Sequence, residues 1–250
     1  MEYNIVYLKE TDSTNLRAKE GAADGMPDRT LIVAEKQSQG RGRLGRNWAS
    51  DDDGNVYMSL LLRPEIAPQK ASMLTLVMAL AVAEGLHEAV GVDAEIKWPN
   101  DIILNKKKVC GILTEMQADV EKIHHVVIGV GINVNQEAFS KEIEQTATSL
   151  WQVTGEKWSR KLLLMHVMEA FERYYATFLK TEDLSGLLEE YKRKLVNQGR
   201  EVLVHEPGNE YSAQAIGINS QGELMVKTAD GKQQNVYAGE VSVRGIYGYV

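Results

Sequence analysis

Several things are scarce in this sequence. Its 250 residues include one cysteine, five histidines and no excess of positive charge. A lone cysteine excludes an intramolecular disulfide framework and a thiolate zinc site, and it fits a reducing compartment. The histidines form no His-Glu-x-x-His pair. Lys and Arg number 28 against 35 Asp and Glu, a net charge of −7; proteins that coat nucleic acid are usually basic, so that role is disfavoured. The longest apolar run, residues 73–83, is broken only by Thr75 and is too short to span a bilayer. The first 20 residues mix apolar and charged side chains without a signal-peptide core. A cytoplasmic protein with no membrane association is expected. With 44% hydrophobic and 25% charged residues, wholesale disorder is excluded, and the length suits one large domain with a small companion.

Local patterns give the element order. Residues 4–8 read as a strand, followed by Asp12-Ser13-Thr14-Asn15, where Ser13 or Thr14 can cap a helix to about Ala23. Residues 30–35 and 55–62 read as strands, and 68–90 as a long apolar helix buried on more than one side. Strands are expected at 94–97, 102–104, 109–116 and 123–133, and helices at 158–181 and 184–195. From Glu201 the texture changes to short β-runs. Turns at Pro207-Gly208-Asn209, Gln221-Gly222 and Asp230-Gly231 recur at hairpin spacing. About fifty such residues suit a small SH3-like barrel. The expected fold class is α+β, a mixed β-sheet packed with helices over 1–198 followed by a small β domain over 199–250.

Two segments carry the charge pattern. Between Lys36 and Ser50 lie Lys36, Arg41, Arg43 and Arg46 and no acid; Asp51, Asp52 and Asp53 follow directly. In an acidic protein such a block implies an anionic ligand or a bridging role. Gly40-x-Gly42-x-x-Gly45 spells a dinucleotide fingerprint, but the residues after it make a poor helix start, which that motif requires. A glycine-rich arm whose arginines offer forked donors to phosphate is one reading; a solvated loop is the other, and the loop alone leaves both open. Lys97-Trp98-Pro99-Asn100-Asp101 is the second segment. Pro99 holds Trp98 extended, so lysine, amide and carboxylate project from one turn. That set suits phosphate and Mg²⁺, although five residues alone fit a structural turn, with Asp101 pairing a nearby lysine, slightly better.

Taken together, the DSTN at 12–15, GRGRLGRNW at 40–48, KWPND at 97–101, KKKVCGILTEM at 106–116 and VIGVGINVN at 127–135 resemble the biotin protein ligases, in the family's order and over nearly the whole chain. The resemblance implies a class II synthetase-like catalytic domain with an SH3-like tail. It implies attack of biotin on the α-phosphate of MgATP, then transfer of biotin to a lysine of a biotin carboxyl carrier domain. It places Ser13, Thr14, Asn15 and Gln37 around the biotin head group. Gly40, Arg41, Gly42 and Arg43 would cover the ligand, Arg41 and Arg43 holding carboxylate and α-phosphate, with Arg46 facing phosphate and Trp48 closing the loop. Lys108 would sit at the carboxylate–phosphate junction as the leading catalytic residue, with Arg43 and Asp101 also catalytic. Gly111 would allow close approach; Lys97, Asn100 and Asp101 would serve ATP and Mg²⁺, with Asp101 the metal ligand; Asn133 would read adenine. Arg244 is a weaker assignment to nucleotide phosphate. DSTN begins at Asp12, leaving no room for the helix-turn-helix module of some family members, so no nucleic-acid partner is expected. Exposed strand edges could pair a homodimer.

Other features take plainer readings. Gly129-x-Gly131 fails the dinucleotide fingerprint and suits close backbone approach or a strand bend. Cys110, in an apolar strand, reads as core. His124 and His125 point to opposite faces, which excludes a shared metal. Lys106 and Lys107 read as a solvated hairpin tip. Phe171, Tyr174, Tyr175 and Phe178 recur at helical spacing as core or subunit packing. The Thr146–Leu150 stretch before Trp151 either shapes the adenine pocket or simply packs. The rival functions are a lipoate or octanoyl ligase, and a non-catalytic biotin or nucleotide sensor.

Overall fold

A computed structural model of the protein describes residues 3–50, 54–206, 208–239, 242–245 and 249. Pro207 and the acids Asp51, Asp52 and Asp53, singled out in the sequence, lie outside the described residues.

The first sheet has seven strands: β1 (Asn4–Thr11), β2 (Thr30–Gln37), β3 (Val56–Leu62), β4 (Glu95–Lys97), β5 (Asp101–Leu104), β6 (Lys107–Ala118) and β7 (Ile123–Ile132), in the order β1-β2-β3-β7-β6-β5-β4. Only β1 and β2 run parallel; the other neighbours are antiparallel. Side-chain alternation divides the two faces. Val56, Met58, Leu60 and Leu62 of β3, with Val126, Ile128, Val130 and Ile132 of β7, join the main core. That core is covered by α2 (Met73–Val90) and α4 (Arg160–Thr181), which pack against each other. The intervening residues Ile32, Leu61 and Val127 meet α1 (Thr14–Ala23) through Ala18 and Ala22 in a second, smaller cluster. Past α1, the same face carries mainly polar residues and glycines, with Tyr57 and Leu113, and the site occupies it.

Helix α2 buries thirteen of its eighteen residues. Each fully buried Leu, Val or Met there contributes about 1.5–3 kcal/mol, which accounts for a helix with no side-chain cap at either end. Pro68–Val90 has the length and hydropathy of a membrane span, yet 72% of its apolar window is buried within the fold. The expected helix at 68–90 begins only at Met73, because Pro68–Lys70 forms a separate 3-10 turn. Phe171 and Tyr175 of α4 stack at 5.3 Å, and with Tyr174 and Phe178 they are buried core. The expected helix at 184–195 shortens to α5 (Leu188–Lys194). Leu184 is drawn into the core, and its N–H donates to the Ser220 carbonyl at 2.8 Å. A short helix, α3 (Leu150–Thr154), was not foreseen; Ser149 Oγ accepts from Gln152 N at its start.

The second sheet is antiparallel throughout: β8 (Glu201–Glu206), β9 (Asn209–Ile218), β10 (Leu224–Thr228), β11 (Gln233–Val236) and β12 (Ser242–Gly245), in the order β11-β10-β9-β8-β12. Trp98 anchors it. The ring is 1% exposed; its Nε1 donates to Gly222 O at 2.9 Å, and its backbone N–H donates to Asn197 Oδ1 at 2.8 Å. The KWPND segment therefore splits, with Trp98 serving the fold and its neighbours turned to a cavity.

Candidate functional site

Two rows of residues cross the sheet. Asp101, Gly111, Gly131 and Tyr57 are register partners across β5, β6, β7 and β3, and Leu113, Gly129 and Ser59 form the next row. Glycines at the centre of both rows leave a trough. Side chains fill it closely: a Cβ on Gly129 would lie 2.0 Å from Asn15 Oδ1, and a Cβ on Gly131 would lie 2.6 Å from Trp48 Nε1. Gly111 is similarly covered by the Trp48 ring and the end of Lys108, so in this structure the glycines admit Trp48 and Asn15.

At one end of the trough, uncharged polar groups form a fixed network. Gln37 Oε1, at the end of β2, accepts from Thr14 N at 2.8 Å and lies 3.1 Å from Thr14 Oγ1. Ser59 Oγ bridges Thr14 Oγ1 at 2.8 Å and Asn15 Oδ1 at 2.6 Å. Asn15 Nδ2 donates to Glu115 Oε2 at 2.8 Å and to Leu113 O at 3.3 Å, while Lys19 pairs with Glu115 at 2.6 Å. With both amide donors engaged, Asn15 can present only acceptor capacity inward. Burial pushes the Glu115 carboxyl up, but the Lys19 and Asn15 hydrogen bonds outweigh it and hold the group below the usual carboxylate range.

The loop after β2 lies over the trough as a small hairpin. Arg41 bridges Asn47, Gly42 N–H donates to Arg46 O at 2.7 Å, and Gln37 N–H donates to Ser50 O at its base. Gly40 packs on Ser50 and the Trp48 carbonyl and lines no cavity. Arg43 turns inward, donating to Asn100 Oδ1 at 3.0 Å and to the carbonyls of Ala238 (3.2 Å) and Gly239 (2.7 Å) in the tail. The indole Nε1 of Trp48 is buried without a hydrogen-bond partner among the described residues.

At the other end the charges gather. Lys108 Nζ stands 2.6 Å from Asp101 Oδ1 and 5.2 Å from the Trp48 ring centre. A β-bulge places it: Ile102 pairs with Cys110 and Ile103 with Lys108, so the register skips Val109. Lys108 thereby shares a face with Gly111, three residues on, while Val109 and Cys110 both enter the core. Burial pushes the Asp101 carboxyl up; Lys108, the hydrogen bond from Tyr249 and the charge of Lys97 outweigh it and hold the carboxyl low. Burial pushes the Lys97 ammonium down to about 8 despite Asp101, with Lys108, Arg244 and Arg46 adding to the effect.

Three cavities with shared wall residues lie here. The first, about 50 Å³, is lined by Ser13, Thr14, Asn15, Gln37, Arg41, Gly42, Arg43, Asn100 and Gly111 among others. The second, about 150 Å³, is more apolar, with Asn133, Phe139, Ile143 and Ala147. The third, about 480 Å³, holds Arg43, Arg46, Lys97, Asn100, Asp101 and Arg244. Trp48 and Lys108 line all three.

The matches to known proteins agree with this arrangement. Residues 7–133 match the model of the Biotin/lipoate A/B protein ligase family, and residues 199–244 match the Biotin protein ligase C terminal domain. The chain belongs to the biotin/lipoate A/B protein ligase family. It is 38% identical over 245 residues to the bifunctional ligase/repressor BirA of Bacillus subtilis (strain 168), covering 97% of this chain and 75% of that one. It is 32% identical over 231 residues to the biotin–[acetyl-CoA-carboxylase] ligase of Paracoccus denitrificans, covering 90% and 95%. The biotin protein ligase from Aquifex aeolicus, solved in complex with biotin and ATP, superposes with a TM-score of 0.85 at 33% identity, covering 97% and 99%.

Of the residues singled out for this biotin ligase site, all but Gly40 line one of the three cavities. Asn133 does so with its amide donating to Thr148 O at 3.0 Å. Thr146 and Ala147, not Trp151, reach the second cavity. Lys107 is not a solvated tip: the turn falls on Asn105 and Lys106, both at positive φ, and Lys107 Nζ donates to Glu144 O at 2.8 Å. Sequence reasoning missed Ser59, Glu115, Phe139, Ile143 and Tyr249. Ser59 lies in an apolar strand and Tyr249 next to the C-terminus, and neither falls in a motif. The Glu88, His166 and Glu169 cluster lies elsewhere, on α2 and α4, and Glu88 also pairs with Arg173.

Proposed function

We propose that this biotin ligase activates biotin with ATP and transfers it to one lysine of a biotin carboxyl carrier domain. The observation that carries the reading is the place of Lys108, on the wall of all three cavities: one with an uncharged polar end, one partly apolar, one strongly basic. A ureido ring needs acceptors for its N–H groups and donors for its carbonyl. Asn15 and Thr14 supply the acceptors; the Ser13 hydroxyl and Gln37 amide supply the donors. Adenine enters beside Asn133, Phe139 and Ile143. The triphosphate lies among Arg43, Arg46, Lys97 and Arg244.

In the first step a biotin carboxylate oxygen attacks the α-phosphorus, the bond to the bridging oxygen breaks, and pyrophosphate leaves. Arg43 and Lys108 neutralise the repulsion between the two anions and stabilise the charge that grows on the phosphoryl oxygens. Alignment alone can supply about 7–11 kcal/mol of barrier reduction. Trp48 packs over the joint, and its unpaired Nε1 gives the ligand a donor. In the second step the neutral amine of the acceptor lysine attacks the acyl carbon and AMP leaves with the bonding electrons. Asp101 is the one carboxylate lining the third cavity among the described residues. A single carboxylate suits a Mg²⁺ that arrives with the triphosphate and is held mainly by phosphate and water.

The same reading divides the chain into a catalytic unit, 1–198, and a companion β unit, 199–250, which contributes Arg244. It places the protein in the cytoplasm, where Cys110 stays reduced. It offers the terminal strand β1, with Ile5 and Tyr7 each 60% exposed, for pairing with a second copy. The test is pyrophosphate release from MgATP with biotin or lipoate, followed by mass analysis of a carrier domain. Release with biotin and one modified lysine supports the reading; release with lipoate alone overturns it.

A further inference from the structure

The two groups assigned above to phosphate and magnesium, Lys97 and Asp101, are register partners across the β4–β5 hairpin. Tyr249 engages both. Its carbonyl accepts from Lys97 Nζ, its ring centre lies 3.7 Å from that ammonium, and its hydroxyl donates to Asp101 Oδ2 at 2.5 Å. Tyr249 also lines the second and third cavities, beside Trp48 and Lys108. Ring, carbonyl and hydroxyl thus occupy the positions from which a polyphosphate and its metal would address the same lysine and carboxylate.

We propose that Tyr249 is a tethered occupant of the nucleotide site that MgATP must displace, so that this one side chain sets the affinity for ATP. The inference rests on the reading of Lys97 and Asp101 given above. A cation held over an aromatic face and against a carbonyl cannot at the same time meet phosphate oxygens at hydrogen-bond distance. The competitor is part of the chain, so its effective concentration does not fall with dilution. If the site is open about one tenth of the time, apparent affinity falls about tenfold.

The test is calorimetric titration of the full-length chain with MgATP, for the wild type, Tyr249→Ala and Tyr249→Phe. The proposal expects Tyr249→Ala to bind MgATP about tenfold more tightly, and Tyr249→Phe, which loses only the Asp101 bond, to fall between. A tyrosine that merely supports the fold would leave affinity unchanged or weaken it, so either result overturns the proposal. So does weaker binding from loss of a productive stacking contact. Titration with biotin alone serves as the control and is expected to match in all three proteins. Adenylate formation reports separately on the activity: a chain that binds MgATP but makes no biotinyl adenylate contradicts the proposed function, while the titration still decides the role of Tyr249.

Discussion

Lys108 and Asp101 form a 2.6 Å ion pair that exists because the β5–β6 register skips Val109. Without that bulge, strand alternation would turn Lys108 away from Gly111 and into the α2 core. The pair keeps a cation beside the first cavity and a carboxylate beside the third. It also reconciles two readings of the KWPND segment, since Asp101 does pair a nearby lysine and does so within the site.

Lys108→Ala removes the cation that all three cavities share. Adenylate formation is expected to fall by about 10²–10³, the usual cost of losing one donor to a developing oxyanion. Biotin affinity should change much less, because Ser13, Thr14, Asn15 and Gln37 would still hold the head group. Single-turnover adenylate formation and a biotin titration check this; near-normal turnover removes Lys108 from catalysis.

Arg43→Gly is expected to release the adenylate. It removes the contacts to Asn100 and to the Ala238 and Gly239 carbonyls that hold the loop hairpin against the tail. The mixed anhydride would then leave and acylate exposed lysines on bystander proteins. Labelling of serum albumin by the variant, and not by the wild type, is the expected result; labelling confined to the carrier lysine contradicts the retention role.

Glu115 holds Asn15, the proposed biotin contact, through a 2.8 Å hydrogen bond. Glu115→Ala leaves Nδ2 with only the longer bond to Leu113 O, a loss of about 1.5–3 kcal/mol for a bond to a charged acceptor, or about 10- to 100-fold in biotin affinity. The pH dependence has a fixed sign. The folded carboxyl lies below its ordinary value of 4.5, so its contribution to stability is fully present above 4.5 and is lost as pH falls through the folded value. The stability gap between wild type and variant should therefore close in acid. A gap that widens there contradicts the assignment.

Cys110 is buried in the core strand and burial pushes its thiol well above the ordinary range. Ellman's reagent at pH 8 is expected to find no reactive thiol in the native protein and one equivalent in denaturant. Rapid reaction of the native protein would show that β6 opens far more readily than its burial implies.

Much of this was legible in the sequence because motif chemistry is local. The polar DSTN segment, the arginine loop and KWPND each mark their own residues, and period-two and helical patterns marked most strands and helices. Register was not legible. The alignment of Gly111 with Gly131 and of Gly129 with Ser59 depends on which residues face one another across β3, β7 and β6, and no local pattern encodes that. The bulge at Val109, which aims Lys108, is hidden for the same reason. Tyr249 reaches the site from 148 residues away in sequence. The capping expectation for α1 fails in detail: Ser13 occupies the cap position without a side-chain bond, and the residue lines the first cavity.

The most direct measurement is biotin-dependent exchange of labelled pyrophosphate into ATP by the purified chain with magnesium. The account predicts exchange that requires biotin and collapses in Lys108→Ala. A chain that binds both compounds yet exchanges no label would contradict it.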